Sequence, residues 1–427
     1  MAEVMDTIAS SASCEGSVAA SKVDRALAQV SILIELCRRR FDPIRDADLL
    51  ARLGTIEASP IDPAPLHRLS ERCRERIAGH LWLHVARTAL ALPHLTYEQL
   101  FYRGQTKILL GDWSGWVDRE ARLFSPYEHV RRSTYWQHVA WTTRAWDGHE
   151  DISDKTIFVI ADGGHGDCLQ MLRYVPWLVT VAGHVILGVR PGLASFAQHN
   201  FGCMATIVER ESKPPQAFDR YTWIMSLPAH CRELPAFAPL TAPDPVPRAR
   251  SDLKRLRVGA CWAGQGYDSK NFQRHLPIHA LAPLFDRADL HWHSLQVGDR
   301  ASDALAYPGL TQPSLCLSTY ADTANYMMGL DCVVSVCTSV AHLAGSLGVP
   351  TFLLLRCGAD WRWEVDDRTA WYPSMRLIRQ PTLGDWGSVI RSLGHQLTER
   401  SRVPRSGARD PCGSRIGRTD ALNSHTY

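Results

Sequence analysis

Four short stretches of the chain hold residue types that could do chemistry together. The first is Thr338-Ser339, with His342 close behind. They stand between an apolar run, Val333–Val336, and a stretch of helical spacing, Val340–Leu347, which Gly348-Val349-Pro350 stops. A strand-to-helix turn of this kind offers free amides and a positive dipole end to an anion such as a diphosphate. The plain alternative is that Thr338 or Ser339 only caps the helix. His342 falls in the first helical turn. There a neutral imidazole could donate to a phosphate oxygen, or the ring could be a satisfied core histidine.

The second stretch is Gly163-Gly164-His165-Gly166-Asp167, after the apolar run Thr156–Ala161. Gly164 and Gly166 let a ligand approach the backbone, but the spacing lacks the third glycine of the dinucleotide fingerprint. Asp167 is either a helix-capping carboxylate or a general base that takes a proton from a sugar hydroxyl. The third stretch, Trp262–His275, combines Gly264 and Gly266 with two cations, Lys270 and Arg274. Such cations could stabilise a leaving nucleoside diphosphate without a metal, or simply sit on a solvated loop. The fourth is Gln296, expected at a strand's carboxyl end. It could bond a ribose or base, or equally nearby backbone. His291 and His293 share one face of that strand. No third ligand accompanies them, so no metal site is expected, and packing or partial exposure is favoured.

These residues need a scaffold, and the pattern supplies one. Residues 1–20 are rich in Ser and Ala and are expected to be disordered. Helical spacing begins at Val23–Arg40 and continues through Pro65–Ala78 and Leu81–Leu92. A hairpin over Tyr97–Leu123 turns at Gly111-Asp112, with Gly104 allowing close contact. Residues 21–130 thus read as an α-helical, degenerate tetratricopeptide-like region or an ordinary helical cap. From 150 to 245 strands and helices alternate, with a helix that starts after the glycine turn and ends near Pro176. A Pro-rich linker covers 235–250, and a second alternating block covers 251–397, with strands near 256–262, 292–296, 332–336 and 351–355. Trp371–Leu397 is expected to supply the last helices, packing back on the first block. Residues 400–427 read as a loose basic tail. The expectation is two α/β, Rossmann-like domains facing across a cleft.

Composition narrows the classes. The net charge of +3 gives no basic footprint for nucleic acid. No apolar run approaches the roughly 18 residues of a membrane span, and the first 22 residues lack a signal pattern. Twelve cysteines without a CxxC pair suggest free thiols in a reducing cytosol. A cytoplasmic protein, at most peripheral to the inner membrane, is expected. Tryptophan is abundant, and Trp361-Arg362-Trp363 could line a pocket.

In order, VIADGGHGDCLQMLRYVP, VGACWAGQGYDSKNFQRHLPI, HSLQVGD, YADTANYMMGLDCVVSVCTSVAHLAGSLGVPTFLLL and DWRWEVDDRTAWYPSMRLIRQPTLGDW resemble bacterial tetratricopeptide-linked glycosyltransferases. These are similar to the ADP-heptose:lipopolysaccharide heptosyltransferases. The resemblance spans roughly Tyr97–Leu397. It implies a glycosyltransferase B fold and a metal-independent, inverting transfer with no cofactor. The donor would be a nucleotide-diphosphate sugar and the acceptor a glycan or lipid-linked molecule, with room for a protein partner on the helical region. It implies Asp167 as the base, Lys270, Thr338, Ser339 and His342 at the donor diphosphate, and Gln296 near the nucleoside. Cys337, Phe272, Val297, His165 and Asp162 depart from the family's usual Asp, acidic residue, Lys, Leu and Glu. Of these, Cys337 and Phe272 support the alternative, a non-catalytic, nucleotide-binding scaffold with a degenerate transferase domain. A sugar-nucleotide epimerase ranks last.

Overall fold

The computed structural model describes residues 97–109, 111–124, 145–209, 217–247, 255–264, 274–357, 360–363, 366–382 and 384–402. The helices expected before residue 97, together with Lys270, Phe272 and nearly all of the expected tail, lie outside the described residues.

The described chain opens on a helical hairpin, α1 (Tyr97–Leu109) and α2 (Gly115–Arg119), followed by a 3₁₀ turn over Glu120–Phe124. Gly111 makes the bend at φ +82, and the Asp112 carboxylate accepts from the Ser114 amide at 3.0 Å. Gly104 and Gly115 face each other so closely that a methyl group on either would strike the other's carbonyl oxygen. Arg103 closes the hairpin with two 2.6 Å bonds to Asp118.

The first sheet comprises β1 (Thr156–Ile160), β2 (His184–Val189), β3 (Thr206–Glu209) and β4 (Arg220–Trp223), all parallel in the order β3-β2-β1-β4. Helices α3 (His165–Met171), α4 (Val175–Val181), α5 (Ala194–Phe201) and α6 (Leu227–Cys231) follow its strands. Pro176 does not end a helix as expected. It lies in the first turn of α4, where its missing N–H costs little because the Val175 amide already bonds the Leu172 carbonyl behind it.

The second sheet holds β5 (Leu256–Cys261), β6 (Leu290–Ser294), β7 (Leu310–Thr311), β8 (Cys332–Val336), β9 (Thr351–Leu355) and β10 (Met375–Arg379). All are parallel, ordered β10-β9-β8-β5-β6-β7. Counted within this block, that is the dinucleotide-fold order. Its direction reverses between β5 and β8, which places the crevice outside their carboxyl ends. Its helices are α7 (Ile278–Phe285), α8 (Tyr320–Met327), α9 (Ser339–Ser346) and α10 (Trp386–Arg402). Residues 235–247 have no regular structure but are fastened to this block, Leu240 N to Ser346 O at 2.8 Å and Val246 N to Asn325 O at 2.9 Å.

Two expectations need correction here. Trp371–Leu397 is not all helix: residues 375–379 form an edge strand, with Met375 and Leu377 buried in one core, Ile378 buried in the other and Arg376 exposed. The following α10 does not pack on the first block. Val389, Leu393 and Leu397 join α7 in the core of the second sheet's outer face, and Arg287 bonds the Gly394 carbonyl at 2.9 Å.

Strands buried on both faces read as near-continuous apolar runs, which is why they were legible. In β8, Cys332, Val334 and Val336 face the α7–α10 core while Val333 faces the other side. That other side belongs to one continuous core including Trp116 of the hairpin, Ile157 and Val159 of β1, and Leu343 of α9. Among the described residues no helix is long and apolar enough to cross a membrane.

Candidate active site

Seven of the eight residues singled out from the sequence line one cavity of about 590 Å³: Gly164, Gly166, Asp167, Gln296, Thr338, Ser339 and His342. The eighth, Lys270, lies outside the described residues. One wall is the carboxyl edge of the second sheet. The other is the glycine turn after β1.

On the sheet side, β8 ends at Val336 and the chain enters α9 through Cys337 and Thr338. Thr338 is extended (φ −139, ψ 169), and its side chain does not bond the helix amides. Its hydroxyl pairs instead with Ser335 Oγ at 3.0 Å and Cys261 Sγ at 3.7 Å. The Ser339 hydroxyl accepts from Tyr320 at 2.8 Å. Neither side chain caps α9; the Ala341 and His342 amides bond the Thr338 carbonyl, which leaves the Ser339 and Val340 amides and the dipole facing the cavity. Arg274 adds a cation to this wall, and its Nε has no hydrogen-bond partner among the described residues.

Gln296 lies two residues past the end of β6. Its Oε1 accepts from the amides of Trp262 (3.1 Å) and Ala263 (2.9 Å), and its Nε2 donates to the carbonyls of Ala263 and Val297. In this state it binds nearby backbone, pinning the β5 loop. At Cys337 the Trp363 indole donates to Sγ at 3.1 Å, and burial, with Asp360 adding to it, pushes the thiol's pKa up.

On the facing wall Gly164 caps α3, and the Asp167 Oδ2 accepts its amide at 2.6 Å. Gly163 holds φ +86, and a Cβ there would lie 2.6 Å from Oδ2. Asp167 is therefore the capping carboxylate of the plain reading, and its side chain also remains 20% exposed to the cavity. Its second oxygen is ion-paired with Arg362. Burial pushes the carboxyl's pKa up, but Arg362, the Gly164 amide and Arg119 outweigh burial and hold it below the usual range.

The walls touch at Gly166, where a Cβ would lie 2.8 Å from His342 Cδ2 and 3.5 Å from Ser339 Cα. His342 Nδ1 bonds Tyr372 Oη at 2.9 Å, and its ring stacks on Trp363 at 5.0 Å. Burial first and Arg362 second lower its pKa from 6.5 to about 3, so the imidazole is neutral. His293 is likewise lowered to about 3 by burial, then by His291 and Arg257. It bonds Tyr326 Oη at 2.8 Å, while His291 bonds Thr311. No group of three metal-ligating side chains occurs among the described residues.

A pH prediction follows from these two rings. Their folded-state pKa values lie below the unfolded value, so the unfolded chain binds more protons beneath it. Each ring should therefore cost about 1.4 kcal/mol of stability per pH unit as pH falls below roughly 6.5. Urea unfolding between about pH 7 and pH 5 should show this slope, and His293→Asn should reduce it. A stability flat across that window would contradict the neutral assignment.

Arg362 is the residue to which sequence reading gave no role beyond belonging to a triplet that could line a pocket. Trp361 and Trp363 do not line the cavity; both are buried in the core, and the Arg between them enters the site. It bonds Asp360 at 2.6 Å and Gln170 at 3.1 Å as well as Asp167. Burial lowers its pKa, but Asp167 and Asp360 raise it above the ordinary guanidinium value. The hairpin holds this turn in place. Trp116 meets Trp361 edge-on at 5.2 Å, and the Arg119 guanidinium stacks 4.8 Å from the Trp361 ring. Burial, then Arg122 and Arg362, lower the Arg119 pKa to about 10, still charged at neutral pH.

No family model matches the chain. It is 22% identical over 289 residues to Protein FlbA of Caulobacter vibrioides, a match covering 58% of this chain and 48% of that protein. The chain thus spans about half the length of this relative. Among solved structures it is similar to the glycosyl transferase family 9 protein of Veillonella parvula, at 10% identity and TM-score 0.39 over 60% of this chain and 100% of that one. It is similar to the E. coli heptosyltransferase WaaC with ADP at 12% identity and TM-score 0.36, over 58% and 99%. It is also similar to the iron-containing dodecameric glycosyltransferase TibC of enterotoxigenic E. coli, at 10% identity and TM-score 0.41, over 59% and 78%. These likenesses are loose, and the functional reading rests on the site itself.

Proposed function

We propose that this protein is a glycosyltransferase that moves a sugar from a nucleotide-diphosphate sugar to a hydroxyl of a glycan or lipid-linked acceptor. One observation carries the reading: the uncapped first turn of α9 and the Asp167 carboxylate line the same cavity from opposite walls. The donor diphosphate would lie on the α9 amides, with neutral His342 donating to it and Arg274 facing its charge, and the motif resemblance adds Lys270 as a further contact. Asp167 would take the acceptor's proton as its oxygen bonds the anomeric carbon, while the carbon–oxygen bond to the diphosphate breaks and its electron pair leaves with the nucleotide. Attack from the side opposite the leaving group inverts the anomeric centre. The charge on the leaving group is met by protein cations and amides, so the reading calls on no metal. The motif resemblance extends it to a heptose-type donor, a lipopolysaccharide or other cell-surface acceptor, a cytoplasmic setting at the inner membrane, and a protein partner on residues 21–130.

A second reading has its own support. Both Asp167 oxygens are already engaged, and a thiol stands at 337. A scaffold that binds nucleotide without turnover would look the same. A thermal-shift screen with ADP-, UDP- and GDP-sugars, followed by a product assay, separates the two. Stabilisation with acceptor-dependent release of nucleotide supports transfer, stabilisation without any release supports the scaffold, and release without acceptor supports neither.

A further inference from the structure

The ion pair between Asp167 and Arg362 joins opposite walls of the cavity. Asp167 belongs to the α3 turn after β1, and Arg362 to the turn after β9. Arg362 lines the same cavity as Cys337, His342 and the start of α9. The same guanidinium therefore stands within reach of the general-base candidate and of the place where a diphosphate would lie. A guanidinium fork suits either partner, because it binds a carboxylate or a phosphate through two parallel N–H bonds.

We propose that Arg362 changes partners during the reaction, holding Asp167 before the donor binds and the donor's diphosphate afterwards. This deepens the reading of the cavity as a nucleotide-sugar site and rests on it. The consequence is order. With Arg362 attached, Asp167 is a weak base and one of its oxygens is blocked. Once the diphosphate draws the guanidinium away, that oxygen is free to accept the acceptor's proton. Donor binding thus precedes deprotonation, and an acceptor hydroxyl is not activated in the absence of a sugar to receive it. In turning to the diphosphate the guanidinium also leaves Asp360, Gln170 and the Trp361 ring, over which it lies at 4.1 Å, while Trp116 and Arg119 hold that ring and keep the backbone of the turn fixed.

The test is a thermodynamic cycle read by calorimetric titration of ADP, UDP and GDP. Arg362→Gln should weaken binding of the preferred nucleotide about ten- to a hundred-fold, the loss of a charge-assisted, two-armed contact. Arg362→Lys, which keeps the charge but not the fork, should lie between it and wild type. Asp167→Asn should tighten binding several-fold, because it removes the competitor for Arg362. In the Arg362→Gln background, Asp167→Asn should have no such effect. Equal tightening in both backgrounds would show simple relief of charge repulsion and overturn the proposal. So would unchanged or weaker binding in Asp167→Asn alone. Failure of all three nucleotides to bind wild type would instead remove the underlying reading, and the proposal with it.

Discussion

Asp167→Asn is expected to lower turnover about a hundred- to ten-thousand-fold, the usual contribution of a positioned general base, while nucleotide binding stays at least as tight as in wild type. The substitution is nearly isosteric. The Asn oxygen can still accept the Gly164 amide, so the turn that presents residue 167 keeps its geometry. What is lost is the ability to take a proton from an acceptor hydroxyl at neutral pH. Product formation measured with saturating donor reads this directly, and a melting temperature near wild type shows that the fold is retained. Turnover equal to wild type would remove Asp167 from the mechanism and return it to the role of a cap.

Arg122→Ala is the second large effect, and it falls on stability. Asp162 follows β1, and Met225 and Ser226 follow the neighbouring β4, so these residues form the switch point of the first sheet. The hairpin's 3₁₀ turn closes that point. Arg122 donates to Asp162 Oδ2 from Nη2 (3.1 Å) and Nε (3.3 Å), to Ser226 Oγ at 2.8 Å, and to Glu120. Ser226 in turn donates to Glu120 at 2.7 Å, and the Met225 amide donates to Asp162 Oδ1 at 2.9 Å. Arg122 and Asp162 are each 3% exposed. Removing one partner of a buried pair typically costs about 3–5 kcal/mol, because the other charge is left without compensation.

The pH dependence of that loss identifies its cause. Burial already pushes the Asp162 pKa up against the pull of Arg122, the Met225 amide and Arg119. Without Arg122 the carboxyl should rise further and take up a proton more readily in the folded state than in the unfolded one. Stability of the variant relative to wild type then improves as pH falls. The deficit read from urea midpoints should be smaller at about pH 5 than at about pH 8. A deficit independent of pH would mean that lost packing, not the stranded carboxylate, dominates. In either case a large loss makes the hairpin part of the α/β body and not a detachable module.

The parts of this site legible in the sequence are those set by local pattern. The apolar runs at 332–336 and 351–355 bracket α9, and a Thr-Ser pair between a strand and a helix announces an N-terminus. The glycine turn before Asp167 announced itself in the same way. Residues set by distant pairing were not legible. Arg362 and Asp167 are 195 positions apart, and Arg122 and Asp162 are 40 apart. Nothing near either arginine signals its partner. The Trp-Arg-Trp triplet is legible as a segment that could line a pocket, but not which member does so: the short turn buries the rings and sends the charge between them into the cavity. The β10 strand is not legible because a five-residue edge strand with Leu377 and Ile378 both buried gives too short a period-2 signal to separate from the helix pattern that follows.

The central claim is that the open amides at the start of α9 receive a nucleoside diphosphate opposite residue 167. Proline at the first helical position removes one amide hydrogen while preserving the helix, and the extended backbone of Thr338 tolerates a following proline. Calorimetric titration of ADP, UDP and GDP should find one that binds wild type and binds Ser339→Ala, which loses only the hydroxyl, with similar affinity. Ser339→Pro should bind it about ten-fold or more weakly, the loss of one charge-assisted amide bond. Equal affinity in the Pro and Ala variants, or no binding of any of the three by wild type, would contradict the account.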